Sequence, residues 1–396
     1  MIELARTQDL TATCARGLER VLTDELRELG AESVAPDRGS VSFAGDLRTV
    51  YDVNLRLRTA MRVLVPLARG AVSSRKDLYD LASSVAWDEV LTADQTFAVE
   101  VVGKHQSFRK TTFAGQVVKD ALVDRLREKL GRRPSVDREQ PDLRLHLRLV
   151  ERGPVTLSLD SSGEPLSHRG YRPRGGPAPL AEALAAGILK LAGYDGSQPL
   201  LDPMCGTGTF AVEAALIATN TAPGLHREFA FERWQNHDLQ VFEQVQRGAS
   251  HGRRDAPQPI LARDRADRAL RATKGNLKAA WMDRWVELEQ RDALDLQLPW
   301  GSGGIIVANP PYGKRVGEVE KLFGLYSRFG DAMKNQAAGA TAYILAGEPR
   351  LAKSIGLKPA RKIPLFNGPI ECRLLEFELY EGTRKHKAAS PPNSKF

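Results

Sequence analysis

The stretch LLDPMCGTGTFAVEAALIATN, residues 200–220, restricts the folds open to this chain more than any other segment. It places a short apolar run before two closely spaced glycines and a strongly apolar helical run after them. Gly206 and Gly208 permit a sharp turn and a close approach between the backbone and a ligand. The free amides of a helix that begins near Thr209 face the same place. The segment therefore predicts a strand, a ligand-binding loop and a helix of an α/β sheet.

Strand-like and helix-like segments alternate from residue 179 to residue 385. This alternation predicts a doubly wound, mostly parallel sheet, in which ligands bind at the carboxyl ends of the strands. Acidic residues follow three successive strand-like segments, PLLD, PILARD and VELEQRDALDL, at that edge. These residues are Asp202, Asp264 and Asp292.

The glycine loop alone permits two interpretations. Gly206, Gly208 and Ala211 match the GxGxxA pattern of dinucleotide-binding sites, which would indicate an NAD-dependent oxidoreductase. Such a site needs an acidic residue at the end of the next strand, about 20 residues further on, but the chain there reads TAPGLHREFAFERW. Asp202 is also badly placed against a pyrophosphate and suits an amine-bearing ligand. The oxidoreductase interpretation is therefore the weaker one.

S-adenosylmethionine is a ligand that matches the three acidic residues. It carries an ammonium, a ribose diol and an adenine, which Asp202, Asp264 and Asp292 respectively can bind as hydrogen-bond acceptors. A single acidic residue at such a position is commonly a helix cap or a turn residue. Three of them in register beside a glycine loop favour this cofactor.

The segment IIVANPPYGK ends a fourth strand-like run with two prolines, which predicts either a simple turn or a shaped pocket. The Asn309 side-chain oxygen and the Pro310 carbonyl can both accept hydrogen bonds from an exocyclic amine and so direct its lone pair. Pro311 adds stiffness to the loop, and Tyr312 offers a flat face on which a base can stack. We interpret these four residues as a catalytic group that methylates an amine.

The first part of the chain predicts two smaller α+β units. Residues 1–65 follow the order β-α-β-β-α-β of a ferredoxin-like unit, and residues 66–165 form a second unit. Residues 166–178 are rich in Gly, Pro, Ser and Arg and predict a linker, whereas residues 386–396 predict a disordered tail. The second unit contains an amphipathic helix whose inward face is expected to consist of Phe113, Val117, Ala121, Leu122, Leu126 and Leu130.

Positive charge is concentrated in a few places. The 396 residues carry a net charge of +8, and residues 104–133 hold nine Lys or Arg against three Asp or Glu. The stretch SHRGYRPRGG adds three arginines and no acidic residue. One such cluster is often only a solvated face, but several together favour RNA or DNA as the partner. The candidate contacts are Lys104, Arg109, Lys110, Arg169, Arg172 and Arg174.

Several classes of protein are disfavoured. The chain has no long uncharged apolar run, so we expect no transmembrane helix and no membrane partner. The N-terminus MIELARTQDL lacks the pattern of a signal peptide. Cys14, Cys205 and Cys372 lie far apart, no His/Cys cluster indicates a metal, and an odd number of cysteines suits a reducing compartment. We therefore expect a cytoplasmic protein without a metal, and the oligomeric state stays open.

These motifs resemble the class I S-adenosylmethionine-dependent methyltransferases that modify amino groups of bases. LDPMCGTGTFAVEAALIATNTAPGL, FERW, ANPPYGKRVG and NGPIECRLLEFEL are similar to the THUMP-domain RNA methyltransferases, nearest the bacterial 23S rRNA guanine-N2 group. HRGYR and GLERVLTDELRELGAESV fit the same family. The NPPY tetrad alone is shared by adenine, cytosine and guanine amino methyltransferases, whereas LDPMCGTGT and ECRLL are more particular.

The resemblance implies a ferredoxin-like unit, a THUMP RNA-binding domain over residues 66–165 and a Rossmann-like catalytic domain over residues 179–385. It implies S-adenosylmethionine as cofactor and guanine N2 in structured RNA, 23S rRNA first, as the methyl acceptor. Guanine N2 in tRNA and adenine N6 in RNA stay open as alternatives. By motif position, the cofactor loop comprises Asp202, Pro203, Cys205, Gly206 and Gly208. Asp264 and Asp292 correspond to ribose and adenine contacts, and the catalytic tetrad comprises Asn309, Pro310, Pro311 and Tyr312.

Two departures from the family pattern stand out. Arg263 and Arg265 flank Asp264, where the family more often has small and apolar residues. Some members also carry a second methyltransferase domain after the first, which this sequence does not contain, so a single modification is expected.

Overall fold

A computed structural model describes residues 7–173, 180–312 and 316–380, with side chains from residue 319 onward in the last range. Arg174, the remainder of the expected linker and the expected tail at residues 386–396 lie outside the described residues. The chain divides into two compact units. The first comprises Met1–Arg169 and Ala222–Arg253, and the second comprises Gly170–Thr221 and Arg254–Phe396.

Strands and α-helices make up most of the described chain. The strands are β1 (Gln8–Cys14), β2 (Glu32–Asp37), β3 (Ser40–Gly45), β4 (Ala60–Gly70), β5 (Thr96–Gly103), β6 (Ser135–Val136), β7 (Leu143–Leu149), β8 (Val155–Asp160), β9 (Leu200–Asp202), β10 (Ile260–Asp264), β11 (Val286–Gln290), β12 (Ile305–Ala308), β13 (Thr341–Ala346), β14 (Arg361–Asn367) and β15 (Ile370–Glu378). The helices are α1 (Glu19–Glu28), α2 (Leu47–Arg56), α3 (Arg75–Ser83), α4 (Thr111–Leu130), α5 (Glu182–Leu191), α6 (Thr209–Ala218), α7 (Leu239–His251), α8 (Asp267–Ala279), α9 (Val316–Gln336) and α10 (Pro349–Ser354).

The first unit is built on one eight-stranded sheet with the order β2-β3-β1-β4-β8-β7-β5-β6. Its beginning follows the expected β-α-β-β-α-β order, and β1 pairs antiparallel with both β3 and β4. The expected boundary between residues 65 and 66 falls inside β4, whose second half pairs with β8. The two predicted N-terminal units therefore share one continuous sheet, because a single long strand serves both.

The long helix α4 shows where the predicted inward face was wrong. Val117, Ala121, Leu122 and Leu126 are buried as expected, but Phe113 is 43% and Leu130 is 44% exposed. Ala114 and Val118 are buried instead. The buried stripe thus runs one position away from Phe113 in the first turn and ends before Leu130, the last residue of the helix.

Residues 222–253 interrupt the second unit in sequence but belong to the first. We expected them inside the methyltransferase domain. Their aromatic side chains surround Tyr51 of α2: the ring centroid of Phe231 lies 4.6 Å from that of Tyr51, and the centroid of Phe242 lies 5.4 Å away. Arg227 donates hydrogen bonds to the carbonyls of Ser162, Glu164, Pro165 and His168. The insertion therefore fixes the chain that follows β8.

The second unit is built on a seven-stranded sheet with the order β11-β10-β9-β12-β13-β15-β14. Strands β9 to β13 are parallel to one another, whereas β15 runs antiparallel to β13 and β14. This arrangement confirms the predicted Rossmann-like sheet. The parallel strands all end at the same edge, which brings the ends of β9, β10, β11 and β12 together. Within the described ranges, no helix is both long and apolar enough to cross a membrane.

Candidate active site

The loop after β9 is held on neighbouring strands by its backbone. The amide of Cys205 donates to the carbonyl of Arg263 at 2.9 Å, and the amide of Gly206 donates to Oδ2 of Asp264 at 3.0 Å. Gly208 caps α6 with φ of 77°, and a side chain there would collide with Thr273. Gly206 has φ of 57°, and a Cβ atom built on it meets no atom within 4 Å. Gly208 thus allows close packing against Thr273, whereas Gly206 faces open space.

Asp202, at the end of β9, is almost completely buried. Its Oδ1 accepts a hydrogen bond from the amide of Met204 at 3.2 Å, across Pro203, which has no amide hydrogen to offer. Burial, together with the nearby charge of Asp264, raises the pKa of Asp202 to about 8 despite that hydrogen bond. A cation placed beside this carboxyl group would favour its ionised form.

Asp264 is the last residue of β10, as predicted, and it is half-buried. Its Oδ2 accepts from the Gly206 amide, and its Oδ1 accepts from the Ala266 amide at 2.9 Å. Each carboxylate oxygen can accept a further hydrogen bond. Asp264 therefore shapes the glycine loop in addition to its predicted role toward a ribose, which stays a prediction.

The arginines that flank Asp264 have separate surroundings. Arg263 is buried, and its Nε pairs with Oε2 of Glu289 at 2.7 Å. Its Nη1 donates to the carbonyls of Gln297 at 3.0 Å and Asp295 at 3.4 Å. Arg265 is exposed. Arg263 thus stabilises the segment after β11. The carboxylate of Asp264 binds the amides of the glycine loop and of Ala266 instead.

Asp292 lies two residues after β11 and is exposed. Its Oδ1 accepts a hydrogen bond from the amide of Leu294 at 2.9 Å. The position is the one predicted for an adenine contact, and the adenine contact itself stays a prediction.

Cys205 is buried, and its Sγ lies 3.6 Å from Oγ1 of Thr273. Burial strongly raises the pKa of the Cys205 thiol, so this side chain is a packing residue rather than a nucleophile.

The NPPY tetrad begins directly after β12. Oδ1 of Asn309 is buried and has no hydrogen-bond partner among the described residues. Pro310 is buried, Pro311 is exposed and Tyr312 is half-buried. A buried acceptor without a donor costs about 1–3 kcal/mol, so its retention needs an explanation. A ligand amine that donates to Asn309 would supply one.

Several supporting residues were missed by the sequence analysis. On α8, Oγ1 of Thr273 donates to the carbonyl of Gly206 at 3.0 Å, and Nδ2 of Asn276 donates to that of Thr207 at 2.8 Å. On α6, the buried Glu213 accepts from the hydroxyl of Tyr171 at 3.2 Å. A polar residue on a helix face gives no sign in sequence of which distant loop it will contact.

Two of the candidate RNA-binding arginines, Arg169 and Arg172, make hydrogen bonds within the protein. Arg169 is buried and donates to the carbonyls of Leu166 and Arg58. Arg172 donates to the carbonyl of Leu180 at 3.0 Å, contacts Thr209 and pairs with Glu182. Both guanidinium groups thus bind carbonyl or carboxylate groups of the protein, and the assignment of Arg169 and Arg172 to RNA stays a prediction. Arg174 lies outside the described residues.

The other basic candidates are exposed. Lys104, Arg109 and Lys110 all lie on the segment between β5 and α4, in the first unit. In the part of the chain that the structure describes, no group of three or more His, Cys, Asp or Glu side chains is arranged to hold a metal ion. All three cysteines are unpaired and buried.

The fold and the site define a class. A sheet of this strand order, with a glycine loop after its first strand and NPPY after its fourth, is the class I methyltransferase fold. Three family profiles match the chain: a ferredoxin-like domain of the RlmL type over residues 9–64, a THUMP domain over residues 72–160, and an RMKL-like methyltransferase domain over residues 169–376. The chain belongs to the RMKL-like methyltransferase family.

Individual proteins agree with this assignment. A ribosomal RNA large subunit methyltransferase K/L from Syntrophotalea carbinolica is 42% identical over 93% of this chain and 53% of its own length. The putative RNA methyltransferase slr0064 from Synechocystis is 38% identical over 95% of this chain and 98% of its own length. The chain thus spans about half the length of the K/L relatives. The structure of SMU.472 in complex with SAH superposes with a TM-score of 0.85 at 28% identity, over 96% of this chain and 100% of that one.

Proposed function

We propose that this chain transfers a methyl group from S-adenosylmethionine to the exocyclic N2 amine of a guanine in large-subunit ribosomal RNA. The observation that carries the proposal is the buried Oδ1 of Asn309 directly after β12, for which the described residues supply no hydrogen-bond donor. It can accept a hydrogen bond from the target amine together with the carbonyl of Pro310. Those acceptors hold the amine and direct its lone pair, so most of the catalysis is placement.

The residues at the neighbouring strand ends fit the cofactor. Asp202 is buried where a cation is needed, and Gly206 borders open space beside it. Asp264 and Asp292 follow at the next two strand ends, in the order of the ribose and the adenine. When bound, the cofactor supplies an electrophilic methyl group on its sulfonium. The SAH complex of SMU.472, a protein of the same fold, supports this use of the site.

The choice of acceptor rests on different observations. The names of the K/L relatives support large-subunit rRNA, which would place the enzyme in the cytoplasm. Guanine N2 follows from the motif resemblance, since Asn309 and Tyr312 could serve any amino group on a planar ring. Guanine N2 in tRNA and adenine N6 in RNA are therefore outcomes that nucleoside analysis of the product would separate.

The first unit would hold the RNA. Lys104, Arg109 and Lys110 are exposed on a segment within the THUMP match, where they can contact phosphates. Such contacts would offset the cost of extruding the target base, which is a few kcal/mol.

Asn309→Ala tests the proposal. We expect turnover on unmodified large-subunit rRNA to fall by about 10²-fold or more, as loss of one preorganised polar contact does. The dissociation constant of S-adenosylhomocysteine, measured by calorimetry, should stay the same because Asn309 faces the base. Asn335→Ala removes an exposed asparagine of the same unit and should leave turnover unchanged. Near-normal turnover of Asn309→Ala would refute the role of the tetrad, and binding of NADH in place of S-adenosylhomocysteine would support the oxidoreductase.

A further inference from the structure

Tyr312 is held by two residues that have no role in the site as described so far. Nδ2 of Asn367 donates a hydrogen bond to the Tyr312 hydroxyl at 3.1 Å. The ring itself lies on the backbone of Gly347: a Cβ atom built there would come within 2.9 Å of Cδ2 and 3.0 Å of Cγ. One residue therefore fixes the tip of the phenol, and the other fixes the position of its ring.

Both residues are placed by the sheet. Asn367 ends β14 and pairs with Ile370 across the two-residue turn that leads into β15. Gly347 directly follows β13, the neighbour of the strand that precedes the tetrad. The hairpin β14–β15 and the end of β13 thus hold a side chain that follows β12.

The backbone alone does not explain the glycine. Gly347 does not have a positive φ, so its φ alone does not require a glycine. The ring of Tyr312 is what excludes a side chain, because a Cβ atom 2.9 Å from Cδ2 forces a displacement. Close ring-to-backbone contact is therefore the reason that a glycine is needed here.

We propose that Asn367 and Gly347 are positioning residues that set the plane and depth of the Tyr312 ring for stacking of the target base. This inference rests on the proposed function of Tyr312. A tyrosine ring that turns freely must be ordered when the base arrives, and that ordering opposes binding. A ring fixed beforehand presents the base at one distance from Asn309, and small misplacements of a reacting group lower the rate strongly.

A double-mutant cycle tests the hydrogen bond. Tyr312→Phe, Asn367→Ala and their combination are assayed with labelled S-adenosylmethionine and large-subunit rRNA transcribed in vitro. We expect each single change to lower kcat by about tenfold, and the double variant to be no worse than the poorer single one, because both remove the same contact. The affinity for S-adenosylhomocysteine should stay within about twofold in all of them. An unchanged kcat of Asn367→Ala, or losses that multiply, would overturn the proposal.

Gly347→Ala tests the ring contact independently. We expect kcat to fall by about tenfold or more, and the same change in a Tyr312→Ala background to cause no further loss. Gly324→Ala on α9 is the matched control, since a Cβ atom there meets nothing within 4 Å, and it should retain full activity. A wild-type protein that transfers no methyl group to the rRNA would defeat the proposed function itself, whereas a fully active Tyr312→Ala would refute the stacking role of Tyr312. An inactive Tyr312→Ala beside fully active Asn367→Ala and Gly347→Ala would defeat only this inference.

Discussion

The proposed contact between Asp202 and the ammonium group of the cofactor would couple cofactor binding to the protonation of the protein. Its carboxyl group is buried at the end of β9, and its pKa is raised to about 8. At neutral pH the free protein therefore holds this group mostly protonated. An ammonium group bound beside it would favour the ionised form, so binding below that pKa must release a proton.

We therefore expect the affinity for S-adenosylhomocysteine to rise by about tenfold per pH unit from about pH 6 toward about pH 8, where the rise should level off. Calorimetry in buffers of different ionisation enthalpy should show about one proton released near pH 7. Asp202→Asn removes the titrating group, so its affinity should be weaker and flat over this range. A wild-type affinity independent of pH would contradict the contact between Asp202 and the ammonium.

Residue positions differ in how readily sequence reveals them. The three acidic residues and Asn309 could be located because each follows an apolar run, and parallel strands bring such positions to one edge. The contacts of Arg169 and Arg172 could not be recognised from sequence. Arginines among glycines and prolines resemble an exposed basic linker, yet irregular backbone leaves carbonyl groups that need donors, and these guanidinium groups supply them.

At the scale of elements, the segment after β11 depends on a neighbouring strand. Arg263 in β10 donates to two carbonyls of this segment, at Asp295 and Gln297, and pairs with Glu289 in β11. The same segment begins near Asp292, the predicted adenine contact. A buried side chain that satisfies several groups at once should therefore affect both stability and cofactor binding.

Arg263→Met should lower the free energy of unfolding by about 1–3 kcal/mol, because it leaves the two carbonyls without their donor. It should also weaken S-adenosylhomocysteine binding by displacing Asp292. Arg265→Ala is the matched control, since Arg265 is exposed, and it should change neither. Asp292→Ala should weaken binding by about 1–3 kcal/mol without lowering the melting temperature. Normal cofactor binding by Arg263→Met would show that the contacts of Arg263 do not position Asp292.

At the scale of the whole molecule, the chain crosses between its two units more than once. Sequence could indicate that TAPGLHREFAFERW is an insertion rich in aromatic residues. It could not indicate that Phe231 and Phe242 pack around Tyr51, which lies far away in sequence. A fragment cut at residue 166 would expose that aromatic cluster. Removing residues 222–253 instead leaves a shorter protein whose two cut ends can be rejoined. The amide of Arg254 donates to the carbonyl of Thr219 at 2.9 Å, so these ends lie close together within the second unit.

The second unit can therefore be tested as residues 170–221 joined through a short Gly-Ser link to residues 254–380. It retains the complete seven-stranded sheet, the glycine loop and the tetrad. We expect a cooperative thermal transition and an affinity for S-adenosylhomocysteine close to that of the full chain. Its affinity for large-subunit rRNA should fall sharply, because the exposed basic residues of the first unit are gone.

A triple replacement by alanine in the full chain tests whether the loss of RNA affinity comes from particular charges. The residues replaced are Lys104, Arg109 and Lys110. Each phosphate contact releases counterions, so the logarithm of the RNA association constant falls with the logarithm of the salt concentration. Three lost contacts should reduce that slope by about two to three, with cofactor affinity unchanged. Arg20, Arg27 and Arg38 are also exposed in the first unit, and their joint replacement removes the same charge from outside the THUMP match. If both triple variants reduce the slope equally, the RNA responds to net charge alone, and the segment between β5 and α4 is not a specific contact.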